Sequence, residues 1–163
     1  MVPLPVWLRR TLGILALGGG AIGVAMVLGV LMSNTNFVGA LLLLVFLVMY
    51  AFGIYAGLLM LEDGADALPV NTVYWLLQVP AISTDTVGYV FFSGFHVTAR
   101  VMLAPLSWKV DFLLGSFFKF NAMQPQESTY LGVNFFAIAV VAVLWRRWTR
   151  MHATSRAAPA MAG

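Results

Sequence analysis

A chain of 163 residues that is 61% hydrophobic and only 9% charged lacks the polar side chains with which a soluble fold covers itself, typically about 25% charged residues. The net charge of +3 collects in Arg9 and Arg10 and in Arg146, Arg147, Arg150 and Arg156, clusters that flank apolar runs and form no basic face, which argues against nucleic acid. There is no cysteine, so disulfides, thiolate metal sites and cysteine nucleophiles are all excluded.

Residues 12–32 are 21 positions without a charge, enough at about 1.5 Å per residue to cross a hydrocarbon core of about 30 Å. The run is too long for a signal-peptide core, and no small-residue cleavage motif precedes Ser33. After the polar break Ser33-Asn34-Thr35-Asn36, residues 37–61 give a second uncharged stretch. So short a connection implies an antiparallel transmembrane hairpin occupying residues 1–66.

Glu62, Asp63, Gly64 and Asp66 close that hairpin, with Pro69 beyond it. Residues 67–129 read as an extramembrane or interfacial unit. Asn71–Val79 fits a short helix, and Ile82 to Thr86 a polar link. From 88 to 103 and again from 110 to 120, aromatic and β-branched residues alternate with polar ones, a period of two that signals strands. With a turn between Leu106 and Ser107, Leu103 pairs with Val110 and Val101 with Phe112. Arg100 then lies diagonal to Asp111, within reach of a cross-strand ion pair.

The last apolar run, residues 130–148, reads as a third transmembrane helix with Trp145 and Trp148 in the interfacial belt. A basic tail over 149–163, expected to be disordered, follows it. The fold class expected is thus a mainly α membrane protein: a helical hairpin and a C-terminal transmembrane helix, with a small β-hairpin unit between them. The alternative is a four-helix protein whose extra span covers about Thr86–Trp108. Orientation weighs on that choice. Three spans put the termini on opposite sides, so one arginine cluster faces outward, whereas a fourth satisfies the positive-inside rule but buries His96 and Arg100.

Candidate functional residues fall into three groups. Gly19 with Gly23, and Gly53 with Gly57, are spaced for close helix packing, within the hairpin or between protomers. His96, Arg100 and Asp111 form a possible polar cluster, extendable to Lys119 and Glu127, able in principle to move protons. Arg9, Arg10, Trp145, Arg146, Arg147, Trp148 and Arg150 are lipid and orientation anchors. No catalytic constellation, metal-ligand spacing or phosphate-binding glycine loop occurs, so neither enzyme nor cofactor is expected.

The expectation is an integral protein of a bacterial inner membrane, its C-terminal tail cytoplasmic, acting as a structural or accessory subunit. Its partners are the lipid bilayer and either further copies of itself or another membrane protein. An oligomeric channel is the first alternative. A membrane-bound enzyme or lipid-handling protein using the His96/Arg100 face is the second.

Overall fold

The computed structural model describes residues 4–33, 36–84, 87–103, 105–122 and 129–157. Two long helices, α1 (Val6–Leu31) and α2 (Phe37–Glu62), form the antiparallel hairpin expected. Asn36 sets the start of α2, its side chain accepting from the Gly39 amide at 2.8 Å, which satisfies one orphan donor of the first turn. Asp63 ends α2 in the left-handed conformation, φ 58°, and its carboxylate pairs with Arg9 of α1. The two ends of the hairpin are thus each fixed by a polar side chain. Helix α1 begins before residue 12, so Arg9 and Arg10 lie within its first turns.

Glycine allows the two helices to meet. A β-carbon on Gly57 would sit 2.6 Å from the Leu17 amide nitrogen, and one on Gly20 2.7 Å from the Tyr50 carbonyl oxygen. Side chains there would force the backbones apart.

A short helix α3 (Ala67–Leu76) follows, with Pro69 in its first turn, where a missing amide costs nothing. Asn71 reaches back from α3 to donate to the Ala56 carbonyl of α2 at 2.7 Å. The next strands are β1 (Pro80–Ser83), β2 (Val87–Phe92), β3 (Phe95–Leu103), β4 (Leu106–Leu114), β5 (Phe117–Ala122) and β6 (Tyr130–Asn134), and α4 (Phe135–Ala157) completes the fold. The strands make one antiparallel six-stranded sheet in the order β4-β3-β6-β1-β2-β5.

β2 with β5 and β3 with β4 keep one continuous register, from Val87 opposite Ala122 to Leu103 opposite Leu106. They are a single long hairpin, kinked where Gly94 (φ 86°) and Gly115 (φ 142°) take conformations that L side chains disfavour. The kink folds the ribbon so that β1 and β6 insert between its halves. It also seats against the middle of the helices: the Ser116 hydroxyl donates to the Gly19 carbonyl at 2.5 Å, and the Tyr50 hydroxyl to the Phe92 carbonyl at 3.2 Å. From there β5 runs toward the Ser33 end of the hairpin, its Phe118 and Phe120 against Phe46. The other half of the same face, toward Asp63, is covered by α3, whose Tyr74 packs over Gly53.

This architecture, four helices and a six-stranded sheet, corrects the expected fold class. The chain is not a helical membrane protein with a C-terminal transmembrane helix, nor a bundle of four transmembrane helices. Tyr130–Asn134, read as the start of a third span, is strand β6, paired to β1 and β3. The apolar part of α4 that remains, Phe135–Trp145, rises only about 16 Å at 1.5 Å per residue, half a bilayer core. Ala137, Val140 and Leu144 form its buried stripe. Within the fourth-span candidate, residues 86–108, the described positions fall mainly in β2, β3 and the start of β4. Among the described residues only α1 and α2 are long and apolar enough to cross a membrane.

Candidate functional site

The alternation read from the sequence places side chains correctly even where the pairing differs. Leu103 pairs with Leu106 and Val101 with Trp108, a slip of four residues from the expected partners. A slip of an even number keeps every side chain on its face. It also keeps Arg100 diagonal to Asp111, because Arg100 lies opposite Lys109 and Thr98 opposite Asp111. The ion pair forms, with Arg100 Nε 3.0 Å from Asp111 Oδ2.

Folding of the kinked ribbon gives the sheet a concave side, enclosing a cavity of about 240 Å³. His96, Thr98, Arg100 and Asp111 line one wall, Val90, Phe92 and Phe117 the other, and Tyr130 its floor. The His96 ring stacks on Phe92 with centroids 4.1 Å apart, and the Arg100 guanidinium lies 5.1 Å from the Tyr130 ring centroid, a cation–π contact. Thr98 and His96 are buried, and Thr98 Oγ1 and His96 Nδ1 have no hydrogen-bond partner among the described residues. Burial lowers the His96 pKa below its usual 6.5 and nearby Arg100 lowers it further, against a smaller opposing effect of Asp111. The imidazole is therefore neutral near pH 7. Burial alone would lower the Arg100 pKa, but the hydrogen bond and charge of Asp111 outweigh it and raise it.

The three predicted members of the polar cluster thus share one cavity. Sequence reasoning left out Tyr130, which was absorbed into the supposed third span, and Phe92, which carries the His96 ring. Lys119, opposite Val90 on β5, shares the concave face but does not line the cavity. Glu127 lies outside the described residues. Among the described residues no group of three His, Asp or Glu could hold a metal ion.

The opposite side of β3, β4 and β6 is apolar and open. Val101 and Leu103, then Leu106, Trp108, Val110, Phe112 and Leu114, then Leu131 and Val133 share this face by register, with 39% to 79% of their surface exposed. Among the described residues only its Phe95 end is covered, by Phe136 of α4 with ring centroids 4.9 Å apart. β4 is also the edge of the sheet.

The predicted packing glycines face the chain's own atoms. Gly57 meets α1, Gly23 the Tyr50 ring, Gly53 the Tyr74 ring, and Gly19 the ribbon kink at Ser93 and Gly94. Of the anchors, Arg9 pairs with Asp63, Arg10 is exposed, and the Trp145 and Trp148 rings meet at a tilt on α4, with centroids 5.1 Å apart, beside Arg146, Arg147 and Arg150. No family model, curated protein or solved structure matches the chain.

Proposed function

We propose that the chain is a two-span membrane-anchored structural subunit, joined to a larger assembly through the outer face of its sheet. The observation that carries this reading is the contiguous, uncharged surface of β3, β4 and β6. Soluble monomers rarely leave apolar patches larger than a few hundred Å² open to water. The apolar stretches of α1 and α2 are only 28% and 22% buried within the fold, so lipid is the natural cover for the remainder.

Two spans also resolve the charge conflict of three. With α1 and α2 crossing and α4 not, Arg9 and Arg10 lie on the same side as Arg146, Arg147 and Arg150, which the positive-inside rule assigns to the cytoplasm. The loop on the far side, Ser33 to Asn36, carries no charge.

The test is the particle mass in mild detergent. An assembly larger than one chain is expected, and Trp108→Ser with Phe112→Ser reduces it toward the monomer while membrane extraction is unchanged. A strictly monomeric wild type overturns the reading.

A second reading is favoured by the buried Thr98 and His96 atoms that lack partners: the concave cavity accepts a small polar molecule, as in lipid handling or catalysis on the His96/Arg100 face. Its volume is below the roughly 300–1,000 Å³ of common ligand pockets, so the guest is small. Native mass spectrometry of the membrane-extracted protein decides it, a bound species lost in His96→Ala supporting it and a ligand-free wild type opposing it.

A further inference from the structure

We propose that the open edge of β4 pairs antiparallel with β4 of a second copy of this chain, about a two-fold axis through Val110. This rests on the assembling-subunit reading and names its partner.

Three observations converge on the pairing. First, among the described residues β4 has a strand neighbour on one side only, β3. Its other row of N–H and C=O groups is a template for a further strand.

Second, Lys109 is electrostatically misplaced in a single chain. It lies directly opposite Arg100 on β3, and like charges in that position repel. The nearest acid on the ribbon, Asp111, is engaged by Arg100. Among the described residues Lys109 has no ion pair.

Third, the strand Leu-Ser-Trp-Lys-Val-Asp-Phe-Leu-Leu is self-complementary about its centre. With Val110 opposite Val110, Lys109 of each copy lies opposite Asp111 of the other, Trp108 opposite Phe112, and Leu106 opposite Leu114. Each Asp111 then serves its own Arg100 and the second copy's Lys109. The register is selective. Moving the axis to Lys109 or to Asp111 sets like charges face to face, and moving it by a single step between residues sets the charged face against the apolar one. The paired apolar faces run on into one another, as an isologous interface requires.

Because the chain has no cysteine, Val110→Cys introduces one thiol at the axis. Directly opposed residues stand about 4.5–5.5 Å apart between Cα atoms, inside the roughly 4.4–6.8 Å that a disulfide bridges. Mild oxidation of the full chain in detergent is expected to convert most Val110→Cys protein to a covalent dimer. Leu106→Cys alone is expected to give none, its two copies being about 27 Å apart at 3.4 Å per residue. Leu106→Cys and Leu114→Cys chains expressed together are expected to link to each other. Lys109→Glu added to Val110→Cys lowers the dimer yield several-fold, and an unchanged yield removes the charge pairing from the proposal. A particle larger than one chain in which Val110→Cys does not link overturns the β4 edge while leaving the assembly reading intact. A monomeric particle overturns both.

Discussion

His96 shows how one side chain ties the cavity to a measurable property. Stacked on Phe92 and buried, it has a folded-state pKa below the unfolded 6.5. As pH falls the unfolded chain takes up the proton first, so stability rises with pH across this window. It is complete above about pH 6.5 and is lost progressively as pH drops from there toward the folded-state value. Thermal melts of the detergent-solubilised protein are therefore expected to shift to lower temperature between pH 7 and pH 5.5. His96→Gln should flatten that slope, and a variant with the wild-type slope would assign the effect to another group. Arg100 and Asp111 make a contrasting case. Their pair is about a third to two-fifths exposed, and pairs of that kind contribute about 0–1 kcal/mol. Asp111→Asn is expected to change stability little, and its larger effect should be on any contact made by Lys109.

Among the elements, the glycines of α1 divide by what surrounds them. A β-carbon at Gly23 runs into the Tyr50 ring, whereas Gly29 and Gly18 have open space. Gly23→Val should destabilise by roughly 1–3 kcal/mol through overpacking. Gly29→Ala should be neutral or stabilise by up to about 1 kcal/mol through helix propensity. Equal effects of the two in thermal melts would contradict the packing of α1 on α2.

The hairpin was legible because length, polarity and a four-residue break leave few alternatives. The alternation of 88–120 was legible too, since parity survives an even slip in register. What hid was where the strands break and which neighbours they take. Ser93 interrupted the alternation, and Gly94 and Gly115 were the markers of a kink. β1, Pro-Ala-Ile-Ser, is four residues long and shows no alternation to read. β6 was lost because Tyr130–Val133 joins an apolar helix without a gap. The missed signal was Asn134, whose side-chain oxygen accepts from the Ala137 amide at 3.3 Å three residues on, an N-cap arrangement that marks a helix starting at Phe135. The polar cavity was half visible, since His96, Thr98 and Arg100 share a parity. Tyr130 and Phe92 reach it through a non-local fold of the ribbon that no local pattern encodes.

At the scale of the molecule, one face of the α1–α2 hairpin is covered along its length, by the sheet toward Ser33 and by α3 toward Asp63. The other face remains apolar, with Ile14, Ile22, Val45 and Val48 all at least half exposed. A hairpin covered on one side and bare on the other fits a bilayer on the bare side and protein on the other. The sheet's outer face adds a second uncharged surface that a lone chain leaves open. The central claim is that α1 and α2 cross the membrane and α4 does not. Single cysteines in this cysteine-free chain test it most directly: Trp7→Cys in the first turn of α1, Ser33→Cys between the two spans, and Thr149→Cys on α4, each labelled in intact membranes with a membrane-impermeant maleimide. The account predicts that Trp7→Cys and Thr149→Cys label from the same side and Ser33→Cys from the opposite one. Labelling of Trp7→Cys and Thr149→Cys from opposite sides, or of all three from one side, would contradict it.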